Sequence, residues 1–351
     1  MLTALYNSSD RFLKRRTLRL FFDEESGRLR APWRLLLQYL TYTVALSLFV
    51  NLLAAALLVA RPGSSGGLDD PSVPAGSPLL PLVGGVAGLG AAVLSVWLAG
   101  RFLDRRPFAE FGFHLSGGWW LDFLFGMALG ALLMTAIFVM ELGLGWVTVT
   151  GAFEPGVPGV SFWLGVLVPA AFFLCVGFNE ELVSRGYQLR NAAEGLNLPG
   201  VGPRGAVLLA WVLSSALFGY LHADNPNATL LSTANVLLAG MMLGFGYVLT
   251  GELAIPIGLH VTWNFFQGTV FGFPVSGLSF PGATFLRTDQ SGPALWTGGP
   301  FGPEGGLLAP GAMAVGILLT ALWVRLRRGR IAIYSPIAQG PKPDRPAGES
   351  A

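Results

Sequence analysis

Eight stretches of this sequence run without Asp, Glu, Lys or Arg over a length close to the ~20 residues that a helix needs to cross a hydrocarbon core. They are Leu35–Ala60, Leu79–Gly100, Phe123–Met140, Ser161–Phe178, Ala206–Leu221, Leu230–Thr250, Leu253–Gly272 and Leu307–Val324. Each predicts a membrane-spanning helix. The fifth is short, and the fourth, seventh and eighth contain Pro169, Pro256 and Pro310. A buried helix tolerates such a proline where its neighbours satisfy the freed carbonyl. The first stretch is too long, and too far from residue 1, for a simple signal peptide. Segments 61–78 and 273–306 are rich in Gly, Pro and Ser and predict loops without regular structure. Segment 331–351, with Pro336, Pro341, Pro343 and Pro346, predicts a disordered tail.

Composition agrees with this pattern. Only 12% of the 351 residues are charged, against about 25% in soluble domains, and the mean hydropathy is +0.58. A disordered chain, a collagen-like repeat and an ordinary soluble enzyme are excluded. Cys175 is the single cysteine, so an intrachain disulfide or a cysteine metal cluster is excluded too. The placement of charge is more telling than the net value of +2. Residues 1–34 carry eight Lys/Arg, the second loop three, the segment after the fourth span three, and the C-terminal end six. If both termini are cytoplasmic, 20 of the 22 basic residues fall inside, leaving Arg61 and Arg287 outside. The sequence therefore predicts an all-α polytopic membrane bundle of about eight helices, N-in and C-in. Its parts are a basic cytoplasmic or interfacial arm at 1–34, a transmembrane domain at 35–330 and the tail at 331–351.

Ionisable groups inside or beside such spans are costly unless paired, so each is a functional candidate. Glu180 and Glu181 are adjacent, and neighbouring carboxylates in a low dielectric repel. Arg185, one turn after Glu181, can pair with it. Glu180 would then face about 100° away round the helix, free to act as a base. A plain interfacial charge cluster is the alternative reading. Phe218 and His222 close the fifth span, and His260 and Asn264 lie in the seventh. His114, in the loop before the third span, reads as an ordinary surface residue. Together the groups suggest a hydrolytic centre. Glu180 would deprotonate a water, a histidine would position it, and His260 with Asn264 would donate to the oxyanion. A second reading makes Glu180, His222 and His260 ligands of a divalent metal such as zinc. The His-Glu-x-x-His spacing of common zinc peptidases is absent. The residues leave both readings open.

The ordered set Glu180-Glu181-x-x-x-Arg185, Phe218-x-x-x-His222 and His260-x-x-x-Asn264 resembles the CPBP family, the type II CAAX prenyl endopeptidases and their bacterial Abi-like relatives. Gly251 to His260 is similar to the family's approach to its third motif. Arg105-Arg106-Pro107 and Phe111-Gly112-Phe113 extend the resemblance over about 105–270. It implies an intramembrane peptidase in which Glu180 activates water, Glu181 and Arg185 support it, His222 assists the water, and His260 with Asn264 stabilises the oxyanion. Eukaryotic members remove the last three residues of prenylated proteins. The Gly- and Ala-rich, Lys-poor composition looks bacterial, which implies the inner (plasma) membrane. The expected partners are membrane lipid and a membrane-associated peptide or protein, not nucleic acid. The metal-free mechanism is slightly preferred.

Two other functions compete with this one: a non-catalytic protein on the same scaffold, such as an immunity or assembly factor, and a proton-coupled transporter. One geometric condition also has to be met. With the span bounds above, Glu180 lies about 28 Å along the inward fourth helix and His222 about 24 Å along the outward fifth, near opposite faces. A single centre requires the fourth helix to start later, near Pro169, or to continue toward Glu194. Deep entry of residues 195–205, or helix tilt, would also serve.

Overall fold

A computed structural model describes residues 20–23, 26–59, 79–156, 159–280 and 282–341. Much of the basic arm, the whole 61–78 segment and the tail from 342 lie outside the described residues. The long apolar runs form α1 (Ala31–Val59), α2 (Leu79–Ala99), α3 (Gly117–Gly143), α4 (Phe162–Glu181), α6 (Gly202–Leu221), α7 (Leu230–Thr250), α8 (Ala254–Phe265) and α10 (Leu308–Arg328). Helix α4 does not stop at its acids. It continues through a π-helical stretch, Leu182–Leu189, into α5 (Arg190–Leu196). Seven helical segments are long and apolar enough to cross a membrane. The eighth expected span is α8 with its π-helical extension Phe266–Val270. It is shorter because protein rather than lipid surrounds it: every residue from Ala254 to Trp263 is buried. The chain is an integral membrane protein of all-α class with one small sheet.

Glycines set the position of α8. A Cβ on Gly126 or Gly130 of α3 would come within 2.4 Å of the Ile255 or Leu259 carbonyl oxygen, and one on Gly258 within 2.3 Å of the Phe123 carbonyl oxygen. The two backbones therefore touch, and Thr262 Oγ1 donates across the seam to Met127 O at 2.8 Å.

Polar groups gather at the two ends of the bundle. At one end Glu194 accepts from Arg28, from Arg34 Nη2 at 3.0 Å and from Arg106 Nη2 at 3.1 Å. Asp104 takes a second nitrogen of Arg34, and Arg106 also donates to the Gln339 carbonyl. This network ties the segment before α1 to the segment after α10. The tail expected to be disordered from residue 331 is instead packed as far as the description runs. Pro336 opens a 3-10 turn, Ser335–Ala338, that buries Ile337 and Ala338, and Tyr334 N–H donates to Val248 O at 2.8 Å. Among the described residues, every Lys or Arg lies at this end except Arg185, in the interior, and Arg287, on the sheet. Both described ends of the chain lie here as well, as an even number of passes requires.

The opposite end is closed by a cap that the sequence left without structure. Strand β1 (Val147–Glu154) pairs antiparallel with β2 (Thr284–Gln290), from Val147 opposite Gln290 to Glu154 opposite Thr284. Gln290 Nε2 reaches Glu141 at the end of α3, 2.9 Å away. A short helix α9 (Ala294–Thr297) and two 3-10 turns follow. The second turn carries Glu304, which is buried and accepts from Gln267 Nε2 and the Ser276 N–H. Burial pushes its carboxyl from the usual 4.5 up to about 7.

Two outcomes are expected. Gly130→Val removes the space in which α3 meets α8, and should lower stability by about 1–3 kcal/mol as an overpacked contact does; a thermal unfolding scan in detergent reads it. Glu304 holds its proton in the folded cap where the unfolded chain gives it up. Cap stability should therefore fall as pH rises from 4.5 toward about 7 and level off above. Hydrogen exchange of the cap amides, corrected for intrinsic rate, should show this loss, and Glu304→Gln should flatten it.

Candidate active site

Helix α4 brings both acids to the interior. Ser161 caps its first turn, accepting from the Leu164 N–H. Glu180 lies about 27 Å from Phe162 and about 24 Å from Leu196 by helical rise, so it sits at mid-length of the continuous α4–α5 rod. The acid pair was expected at a helix end; the helix runs on because its charges are satisfied sideways. This is the continuation toward Glu194 that a single centre required. His222, about 30 Å from Gly202, then falls at a similar depth.

The two carboxylates part as their angular offset demands. Glu181 is fully buried, and its Oε1 accepts from Arg185 Nη1 at 3.0 Å and from His260 Nδ1 at 2.9 Å. Its Oε2 has no partner. Arg185 is fully buried too. Its Nη2 donates to Gly240 O at 3.0 Å, and its guanidinium lies 4.4 Å over the Phe218 ring. Gly240 admits this approach: a Cβ there would meet Arg185 Nη2 at 3.3 Å and the Ser215 backbone at 3.2 Å. Arg185, counted from the sequence as a loop residue, is an interior anchor joining α4, α6 and α7. The π-helical stretch that carries it is a local widening of a kind frequent at functional sites.

Glu180 is the acid that faces open space, with its side chain 28% exposed. Its Oε2 stands 3.9 Å from His260 Nε2. Because a carboxylate can only accept, the His260 hydrogen bond to Glu181 places a proton on Nδ1 and aims Nε2 at Glu180. His222 ends α6, and its Nδ1 lies 2.7 Å from the Phe218 carbonyl. By the same reasoning Nδ1 carries the proton, and Nε2 of the neutral ring is an acceptor. Phe218 stands between the two imidazoles, its centroid 4.7 Å from His222 and 6.2 Å from His260.

Glu180, His222, His260 and Asn264 all line one cavity of about 410 Å³. Its walls come from α1, α4, α6, α7 and α8, and its cap end from Ser276 and Glu304. The expected site residues thus divide: four reach the cavity, while Glu181 and Arg185 stand behind it. His114 lies elsewhere, at the arginine end, with Nδ1 2.8 Å from Glu252.

Two cavity residues were not singled out in the sequence. Tyr42 of α1 donates to Asn179 Oδ1 at 3.2 Å, beside Glu180. It lies in an apolar run with nothing nearby in sequence to mark it. Glu304 is a lone acid in a Gly-rich loop, and that isolation was its one signal. Among the described residues no three His, Cys, Asp or Glu gather into a group able to hold a metal ion. Glu180, His222 and His260 do not form such a group in this geometry.

Comparison with known proteins gives a match over the helices that carry this site. Residues 161–266 match the model of the type II CAAX prenyl endopeptidase Rce1-like family. That is a shorter stretch than the resemblance over 105–270, and it contains all three motifs. The uncharacterized protein YyaK of Bacillus subtilis (strain 168) is 26% identical over 179 residues, 50% of this chain and 56% of YyaK. The match thus spans little more than half the length of that curated relative. No solved structure matches the chain. Residues 161–266, which carry the acid pair, both histidines and Asn264 on their helices, are thus the part of the chain that is similar to the type II CAAX prenyl endopeptidase Rce1-like family.

Proposed function

We propose that this protein is an intramembrane endopeptidase that hydrolyses a peptide bond in a membrane-associated segment, with Glu180 as the base that activates water. The observation that carries the reading is the division between the two acids. One is buried in an ion pair that orients His260, and the other is open to the cavity 3.9 Å from that same ring. A group meant to take and return a proton has to be reachable, and its neighbours have to be fixed.

The reaction follows from the positions. A water in the cavity gives a proton to Glu180 as its oxygen bonds to the carbonyl carbon. His222 Nε2 accepts the water's other hydrogen and orients it. The carbonyl electron pair moves onto oxygen, where the Asn264 amide donates to it, together with His260 Nε2–H when that ring is an imidazolium beside Glu181. Collapse breaks the C–N bond, and Glu180 returns its proton to the leaving nitrogen. The mid-helix depth of the cavity supports a substrate that reaches it from within the bilayer. The concentration of Arg at one end supports a cytoplasmic placement of that end. With the bacterial look of the composition, it supports the inner membrane.

Glu180→Gln should keep the fold and lower hydrolysis of a membrane-peptide library by about 10²–10⁴-fold, as removal of a general base does. A wild-type rate in that variant would refute the base role. Arg185→Met should behave differently. It leaves Glu181 buried without its guanidinium, and should destabilise the protein by about 3–5 kcal/mol, read as a fall in unfolding temperature.

A further inference from the structure

Helix α1 lies outside the residues that match the family, yet it walls one side of the cavity. Gln38 and Tyr42 stand one helical turn apart on that wall. Tyr42 is pinned to Asn179, the residue before Glu180. Gly88 of α2 makes room for the Asn179 amide, since a Cβ there would stand 3.1 Å from its Nδ2. Helix α1 runs away from the arginine end and α4 runs toward it. One turn back along α1, from Tyr42 to Gln38, therefore corresponds to one turn forward along α4, past Glu180 to Ser184. Ser184 and, a turn later, Gln188 line the same cavity. On the cap side of Glu180 the same helix presents Phe172, Phe173 and Val176 instead. The cavity thus has a polar lobe on the arginine side of Glu180, about 12 Å long by the helical rise from Glu180 to Gln188. A lobe of that length takes a short extended stretch of peptide.

Gln38 is the polar group of this lobe whose orientation is fixed. It is buried, and its Nε2 donates to Ser95 Oγ of α2 at 3.1 Å. The Ser95 hydroxyl donates in turn to Ala92 O at 3.2 Å. With that proton committed, Ser95 can only accept from Gln38, so the amide cannot turn over. Oε1 is held as an acceptor, and among the described residues it meets no donor. A buried carbonyl oxygen without a donor is unfavourable, so its place on a cavity wall favours an occupant that brings an N–H. Extended peptide backbone carries one at every residue except proline.

We propose that Gln38 binds substrate directly, its Oε1 accepting a backbone N–H of the peptide on the arginine side of the bond that is cut, while the Tyr42–Asn179 hydrogen bond holds this face of α1 in register with Glu180. The proposal rests on the peptidase reading in taking the occupant of the cavity to be a peptide.

The test uses the full chain carrying Glu180→Gln in lipid nanodiscs, so that binding is read without turnover. The tightest binder from the membrane-peptide library is labelled with a fluorophore and remade as a series in which each backbone N–H in turn becomes an ester oxygen. Anisotropy reads affinity. One ester position should weaken binding roughly fivefold, the worth of one neutral hydrogen bond. Adding Gln38→Met should abolish the penalty at that position and leave every other position unchanged. Gln38→Asn, which keeps the amide but withdraws its carbonyl by one methylene, should do the same and serves if the methionine variant does not fold. Ser95→Ala removes the tether but keeps the acceptor, and should retain the penalty. No binding by any library peptide, no sensitive position, or a penalty that persists in both Gln38 variants would overturn the proposal. Loss of the penalty in Ser95→Ala as fully as in the Gln38 variants would also overturn it, by reducing Gln38 to a link between α1 and α2. Cleavage is read separately in the chain with Glu180 intact. A Gln38-dependent ester penalty without cleavage there would leave the subsite standing and count against the peptidase chemistry, so the two failures are told apart.

Discussion

The interior is organised around an ion pair that would be prohibitive to leave unpaired. Glu181 and Arg185 are both fully shielded from solvent, and besides each other each has a partner on another helix. Removing either partner strands the other in a medium where isolated charge is untenable. Their contacts reach α6 through Phe218, α7 through the Gly240 carbonyl and α8 through His260. A bundle that satisfies this pair has already brought together the helices that form the cavity. Glu180 is the residue that this arrangement leaves over, and its availability follows from its neighbour's confinement.

Much of this was legible in the sequence, and what was missed has definite physical causes. All eight apolar runs form helices, and seven of them are long and apolar enough to cross a membrane, because lipid solvation writes itself as uncharged runs. The end of the fourth was misplaced, since a rule that stops a span at its first charge cannot see that Glu181 is neutralised by Arg185 and His260. The seventh run reads like its neighbours, yet α8 is enclosed by protein. Burial by helices and burial by lipid demand the same composition. The cap went unread because its order comes from partners far away in the chain, such as Gln290 with Glu141 and Asn235 Nδ2 with Gly306 O at 2.8 Å. The docked segment around Ile337 escaped for the same reason. Its prolines suggest an open chain, and its position is set by partners far away in sequence: Arg106 at the Gln339 carbonyl, Asn197 Nδ2 at the Ala338 carbonyl and Val248 O at the Tyr334 N–H.

Site residues were readable in proportion to how locally they are specified. The acid pair with Arg185, Phe218 with His222, and His260 with Asn264 each sit one helical turn apart, a spacing that sequence displays directly. Tyr42 and Glu304 join the cavity through tertiary contacts alone. The proton positions on the two histidines likewise came from their partners, a carboxylate and a carbonyl, neither of which the motif spacing identifies.

The glycine seam between α3 and α8 has a mechanical consequence. Side chains cushion most helix contacts and let one helix slide against another by changing rotamers. Here backbone rests on backbone, so there is little to compress, and α8 has its buried face turned inward along most of its length. Bilayer thickness and lateral pressure act on helices that touch lipid, and α8 is insulated from both. His260 and Asn264 thus ride on the stiffest element of a protein whose outer helices are exposed to a fluid. Their registry with Glu180 is set by the protein's own masonry and not by the membrane that holds it.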